Sequence, residues 1–353
     1  MAVFGLRGGA KALVVSEIAR RHPSLAILIL ASSPERAQEL YDDCSFFLHP
    51  DDRRRLALFP ESSALPYSRL SPEPETQADR IELLYRLLRR EPMIAVAPAA
   101  AAMRKTPPKE FISNGARAIR IKEALDPMEL ASYLAANGYE DVGLVEDEGS
   151  FARRGGIIDL WPPTVSEPVR IELDGDRVAS MRSFDPASQR SKGEVRELSV
   201  IPAGDIPFDE ASRTAAAHRI RGRAEEADLP SRERRAVLEA LREGISFAGI
   251  ETFLPLFHGA TSTIFEYLPA DAVVIVEEDA DFRSSADSFF REIEEAREAT
   301  ASPERIVKPE EISLRPAELA LELGRFALMR WNAVEERSEE RRVGKECRSW
   351  WSP

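Results

Sequence analysis

The stretch GLRGGAKA (residues 5–12) holds the residue types, and nearly the spacing, of a phosphate-binding loop. In the working pattern G-x-x-x-x-G-K-[ST] the second glycine lets backbone N–H groups close around a phosphate. The lysine reaches its oxygens, and the hydroxyl holds Mg²⁺. Here Gly5 and Lys11 keep the spacing, with Gly8 and Gly9 between them. Ala10 stands in place of the second glycine and Ala12 in place of the hydroxyl. A Cβ at position 10 penalises the positive φ that glycine permits, and Ala12 offers no oxygen to a metal. The residues therefore predict a Gly-rich turn opening an amphipathic helix (Leu13, Val14, Ile18), the remnant of a nucleotide loop. The four histidines (His22, His49, His218, His258) have no partner spacing, and Cys44 and Cys347 match no metal or redox pattern. No catalytic group and no metal ligand is assigned.

A chain of 353 residues implies two or three domains. With 48 Lys+Arg against 61 Asp+Glu, the net charge of −13 argues against strong autonomous binding to DNA, which rests on neutralising phosphates. The apolar run LAILILA (25–31) is strand-length, short of a membrane span. No basic segment followed by an apolar core opens the chain, so a cytoplasmic location is expected.

Strands alternate with helices in the first hundred residues. LAILILA (25–31), LALF (56–59) and MIAVA (93–97) read as buried strands. Between them fall a helix capped by Ser33 with Pro34 following, and the helical run 78–90. Such alternation predicts a parallel, doubly wound sheet. ALPYSRLSPEP (64–74) is a proline-rich loop that reads as a connection, with a ligand lip as the alternative. From 116 the texture changes: strands at 116–122, 156–163, 169–173, 178–184 and 195–202 surround one helix capped by Asp126 and stopped by Gly138. Helices at 211–248, the strand 273–276 and a helix at 285–299 then return to α/β. The fold class is α/β, with a small α+β module inserted into one domain. The expected divisions are 1–115 and 203–299 for the α/β domain, 116–202 for the module and 300–334 for the start of a further small domain. The tail 335–353 has no usable periodicity and reads as non-native.

The segment SFARRGGIIDLWPP…EPVRIELDGDRVASMRSFDPASQRS (150–191) resembles the UvrB-homology module of the bacterial transcription-repair coupling factors. The flanks at 64–87 and 249–278 are similar to the same family, so the resemblance spans about residues 1–330 in one order. It implies a RecA/helicase-like fold whose P-loop is degenerate, with Glu277 after the strand VVIV where the motor relatives have an acidic metal-side motif. It implies a segment that recruits UvrA and needs no cofactor itself. ATP and Mg²⁺, and the contacts to RNA polymerase and DNA, would belong to domains beyond residue 353. The alternatives are an active NTPase or helicase half, or a UvrB-type excision-repair subunit. The second is disfavoured because no long aromatic hairpin follows the proline-rich segment.

Within the module, the eight basic and eight acidic residues between Phe151 and Val200 balance. The turn at LDGD (173–176) decides which side chains share a face. A two-residue loop puts Arg182 on the side of Val169 and Ile171. A three-residue loop, Asp174-Gly175-Asp176, gathers Val169, Ile171, Leu173, Ala179 and Met181 on an apolar face and leaves Arg170, Glu172, Ser180, Arg182 and Phe184 outside. The second avoids burying a charge and is the expectation. Arg170, Arg182 and Phe184 then form the centre of the UvrA-binding patch that the resemblance implies, with Arg177 outside it.

Overall fold

The computed structural model describes residues 1–301 and 303–332. The tail expected to be non-native, 335–353, lies outside the described residues.

Six strands form one all-parallel sheet: β1 (Ala2–Phe4), β2 (Ile27–Ala31), β3 (Leu56–Leu58), β4 (Ile94–Pro98) and two that return late in the chain, β13 (Val273–Glu277) and β14 (Ala327–Asn332). Their order is β1-β14-β13-β2-β4-β3. The continuous apolar runs follow from burial on both faces. In β2, Ile27, Ile29 and Ala31 pack against the helices Ala10–Arg21 and Pro34–Phe47, while Leu28 and Leu30 face the larger core on the other side. Ser33 accepts a hydrogen bond from Arg36 N–H, and Pro34 opens that helix, as its sequence predicts.

The α+β module lies between β4 and β13 in sequence. It contains β5 (Arg117–Arg120), β6 (Glu140–Asp141), β7 (Ser150–Arg154), β8 (Ile157–Leu160), β9 (Val169–Asp174), β10 (Arg177–Phe184), β11 (Ser191–Glu194) and β12 (Glu197–Val200). β11-β10-β9-β8-β7-β6 make one sheet, and β12 pairs with β5 in another. The helix Pro127–Ala136, capped by the Asp126 carboxylate and followed by Gly138 at φ +86°, packs Leu130 and Leu134 onto the module core.

Where 300–334 is expected to begin a further small domain, the described residues of that stretch include β14, which sits between β1 and β13 in the parallel sheet, with Trp331 fully buried in its core. Its ALMRWN sequence interrupts the apolar run with Arg330, which ion-pairs Asp279, so the strand does not read as central.

Candidate functional site

The loop remnant joins β1 to the helix Ala10–Arg21. Positive φ falls at Gly5 (+81°) and Gly8 (+52°), and position 10 is already helical, so Ala10 costs the backbone nothing. Two amides that a phosphate would need are turned inward: Ala10 N–H donates to Arg7 O and Lys11 N–H to Gly8 O. The Phe47 ring lies against Gly9, where an added Cβ would stand 2.6 Å from it. Lys11 is buried, and its ammonium donates to Glu277 at 2.7 Å and Glu278 at 3.0 Å. Arg36 pairs with the same Glu277, which holds the guanidinium pKa above its ordinary value. The structure thus brings Lys11 and Glu277 together, but as a closed ion-pair node. Two carboxylates occupy the cation that a phosphate would seek. Arg36 was not singled out in sequence; the signal available was its place in the first turn after β2.

In the module, the hairpin turn corrects the expected loop length. Asp174 pairs with Arg177, leaving the two residues Gly175 and Asp176 in the loop, with Gly175 at φ +63°. A bulge at Ala179 then shifts the register, so that Met181 faces Ile171 and Arg182 faces Arg170. A two-residue loop plus one bulged residue puts the residues beyond it on the same faces as the expected three-residue loop, with partners displaced by two, Met181 opposing Ile171 rather than Val169. Before the bulge the faces differ: Val178 is buried and Ala179 exposed, the reverse of the expectation.

One line runs across four strands: Asp159 in β8, Arg170 in β9, Arg182 in β10 and Glu194 in β11. Arg170 is bidentate to Asp159 at 2.7 and 2.8 Å, which raises its pKa. Its guanidinium also stacks 4.8 Å above the Phe184 ring. Phe184 is not the exposed aromatic that the alternation predicts. It is fully buried with Val145 and Ala152, beneath Val142 and Trp161. The loop preceding β7 covers this part of the outer face, and nothing in the hairpin's own sequence announces that cover. Arg182 is exposed and makes no ion pair among the described residues. Arg177 is exposed beside the turn, donating to Lys122 O. Of the three residues expected in a docking patch, Arg182 stands in the open, Arg170 is half-buried beside it and Phe184 lies underneath.

Among the described residues no group of three or more His, Cys, Asp or Glu stands in a metal-holding arrangement. No helix among them is long and apolar enough to cross a membrane.

Comparison with known proteins finds similarity for the module and for its flanks. Residues 118–205 match the model of the UvrB interaction domain. Over 316 residues the chain is 31% identical to the transcription-repair-coupling factor of Myxococcus xanthus, covering 86% of this chain and 26% of that protein. It is 30% identical over 285 residues to the transcription-repair-coupling factor of Escherichia coli, with 80% and 24% covered. Against that of Bacillus subtilis it is 29% identical over 284 residues, with 78% and 24% covered. The chain spans about a quarter of the length of these relatives.

Proposed function

We propose that this chain is the UvrA-recruiting, UvrB-like amino-terminal region of a transcription-repair coupling factor, acting as an adaptor between stalled RNA polymerase and nucleotide excision repair. The observation that carries the reading is the match of residues 118–205 to the UvrB interaction domain, within a chain similar to coupling factors on both sides of that module. The partner is UvrA in the cytoplasm, docking on the face around Arg182. RNA polymerase, DNA, ATP and Mg²⁺ belong to the rest of the longer protein, an ATP-dependent translocase.

The segment itself hydrolyses no ATP. Ala12 supplies no metal-bridging hydroxyl, and Lys11 is held by Glu277 and Glu278. Metal bridging of the phosphates is central to phosphoryl transfer.

The test is a titration of UvrA against the intact chain and four variants, with thermal melts alongside. Arg182→Ala is expected to weaken binding about 30-fold, the effect of losing about 2 kcal/mol at an interface centre, with an unchanged melt. Arg177→Ala is expected to match wild type. Arg170→Ala and Phe184→Ala should lose affinity together with stability, because Asp159 is left buried without its partner and the Phe184 pocket is emptied. Wild-type affinity in Arg182→Ala would overturn the docking face.

A further inference from the structure

The proline-rich loop (64–74) roofs a small cavity of about 40 Å³ beyond the carboxyl ends of β3 and β4. In open parallel sheets that end of the strands is where ligands bind. Two guanidiniums converge on it. Arg80, from the helix Pro74–Leu88, is 5% exposed; it stacks 4.1 Å over Phe59 and donates one hydrogen bond to Pro60 O. Arg104 follows the short helix Ala99–Met103 and donates to Ala64 O, yet its buried Nε has no partner. Neither arginine has a carboxylate within 4.0 Å among the described residues. Burying one guanidinium without a counter-ion is costly, and two side by side more so.

The other charged groups at the cavity are Lys105, Asp205 and Glu251. Glu251 is engaged by Ser71 and, more loosely, by Gln77. Glu61, next to the cavity-lining Ser62, acts on both guanidiniums as well, so three cations meet three carboxylates, none of them within 4.0 Å of either arginine head among the described residues. Burial and then the neighbouring Arg80 push the Arg104 pKa down to about 10, partly offset by Glu61, Asp205 and Glu251, and the cation persists at neutral pH. The roof is fixed in place. Tyr67 and Arg69 hold positive φ (68° and 55°), the Tyr67 hydroxyl donates to Val307 O, and the Arg69 backbone presses on Gly249. Non-glycine residues in that region are strained, and here the surroundings hold them in it.

We propose that this cavity is a binding site for a small oxyanion, the oxygens of a phosphate or a carboxylate, held by Arg80 and Arg104 beneath the proline-rich loop. Arginine suits the task, since its planar fork matches such oxygens. The site is separate from the Lys11 remnant, whose cation is already occupied.

The experiment is thermal melting of the intact chain against sodium phosphate and sodium acetate, with chloride matching the ionic strength. Phosphate is expected to raise Tm along a saturating curve, with an apparent Kd that rises at least about tenfold in Arg104→Gln, the loss expected for one charge-assisted bond. Saturation by acetate as well would assign the site to carboxylates in addition; saturation by acetate alone would assign it to them exclusively. A linear, non-saturating rise identical in wild type and Arg104→Gln is the general effect of an excluded salt and would overturn the proposal. Should Arg104→Gln fail to fold, Asp205→Asn decides. It removes one carboxylate that acts on both guanidiniums, so it should tighten phosphate binding if the site is real. A structural role for Asp205 as their counter-ion predicts instead a destabilised chain that phosphate does not rescue.

Discussion

Lys11 sits where a motor protein would keep its phosphate-binding lysine, yet its ammonium lies between Glu277 and Glu278 in a buried node that also holds Arg36. Removing one member of a buried ion pair typically costs about 3–5 kcal/mol, because the partner is left charged and desolvated. Arg36 still compensates Glu277, so the lower end applies. Lys11→Met is expected to lower unfolding stability by about 3 kcal/mol, read from the urea midpoint. A double cycle with Glu277→Gln should show coupling, since the two residues touch. If Lys11→Met melts like wild type, the lysine is a free remnant. An ATP turnover that vanishes in the same variant would restore the NTPase reading. The glycines of the loop were legible from spacing alone. The node was not, because Glu277 is 266 residues from Lys11 and only the parallel sheet brings them together.

The hairpin β9–β10 shows how far the pattern of a single element can be read. Alternation located both strands and correctly kept Arg182 off the face of Ile171, because a buried unpaired charge is costly in any register. It misjudged the loop, since a two-residue turn with a bulge and a three-residue turn put Met181 on the same side. Nor could it see Phe184 as core: its cover comes from Val142, Val145 and Trp161, far away in sequence and in a stretch with no strong periodicity. Strand β14 escaped for a related reason, as its polar positions are satisfied only in the assembled sheet. Because Ala179 is the bulged residue, deleting it should leave Met181 opposite Ile171 and Arg182 opposite Arg170. The deletion is expected to fold cooperatively and to cost about 1 kcal/mol. Inserting an alanine at the same point forces either a doubled bulge or a one-residue slip that turns Arg182 inward, so it should cost more. Denaturant unfolding of both variants checks this, and a deletion more damaging than the insertion would contradict the assigned register.

Across the whole molecule, negative charge gathers where the module meets the parallel-sheet domain. Glu73 and Glu75, at the start of the helix Pro74–Leu88, face Glu140, Glu146, Asp147 and Glu148 of the module across an open cleft. Burial, then the nearby Asp79, Glu82 and Glu75, push the Glu148 pKa up to about 7. Asp79 and Glu82 are themselves raised, chiefly by burial. A carboxyl whose folded pKa lies above its unfolded one holds its proton better in the folded state. Its contribution is therefore fully present below about pH 4.5, the ordinary value, and is lost as pH rises through about 7. Glu61, Asp205 and Glu251 are raised too and act in the same direction, whereas His258, lowered by burial, acts in the opposite one. Comparison with Glu148→Gln isolates the one group, since glutamine is neutral at every pH and keeps the shape. At pH 8 the variant is expected to melt about 2 °C above wild type, because the ionised Glu148 no longer faces its neighbours across the cleft. At pH 4.5 the two should converge, with the wild-type carboxyl protonated in the folded state. Added salt should shrink the gap at pH 8, as screening weakens repulsion between partly exposed charges. A gap of the same size at both pH values would mean that Glu148 acts by packing, and that the cleft carries no proton-linked strain between module and domain.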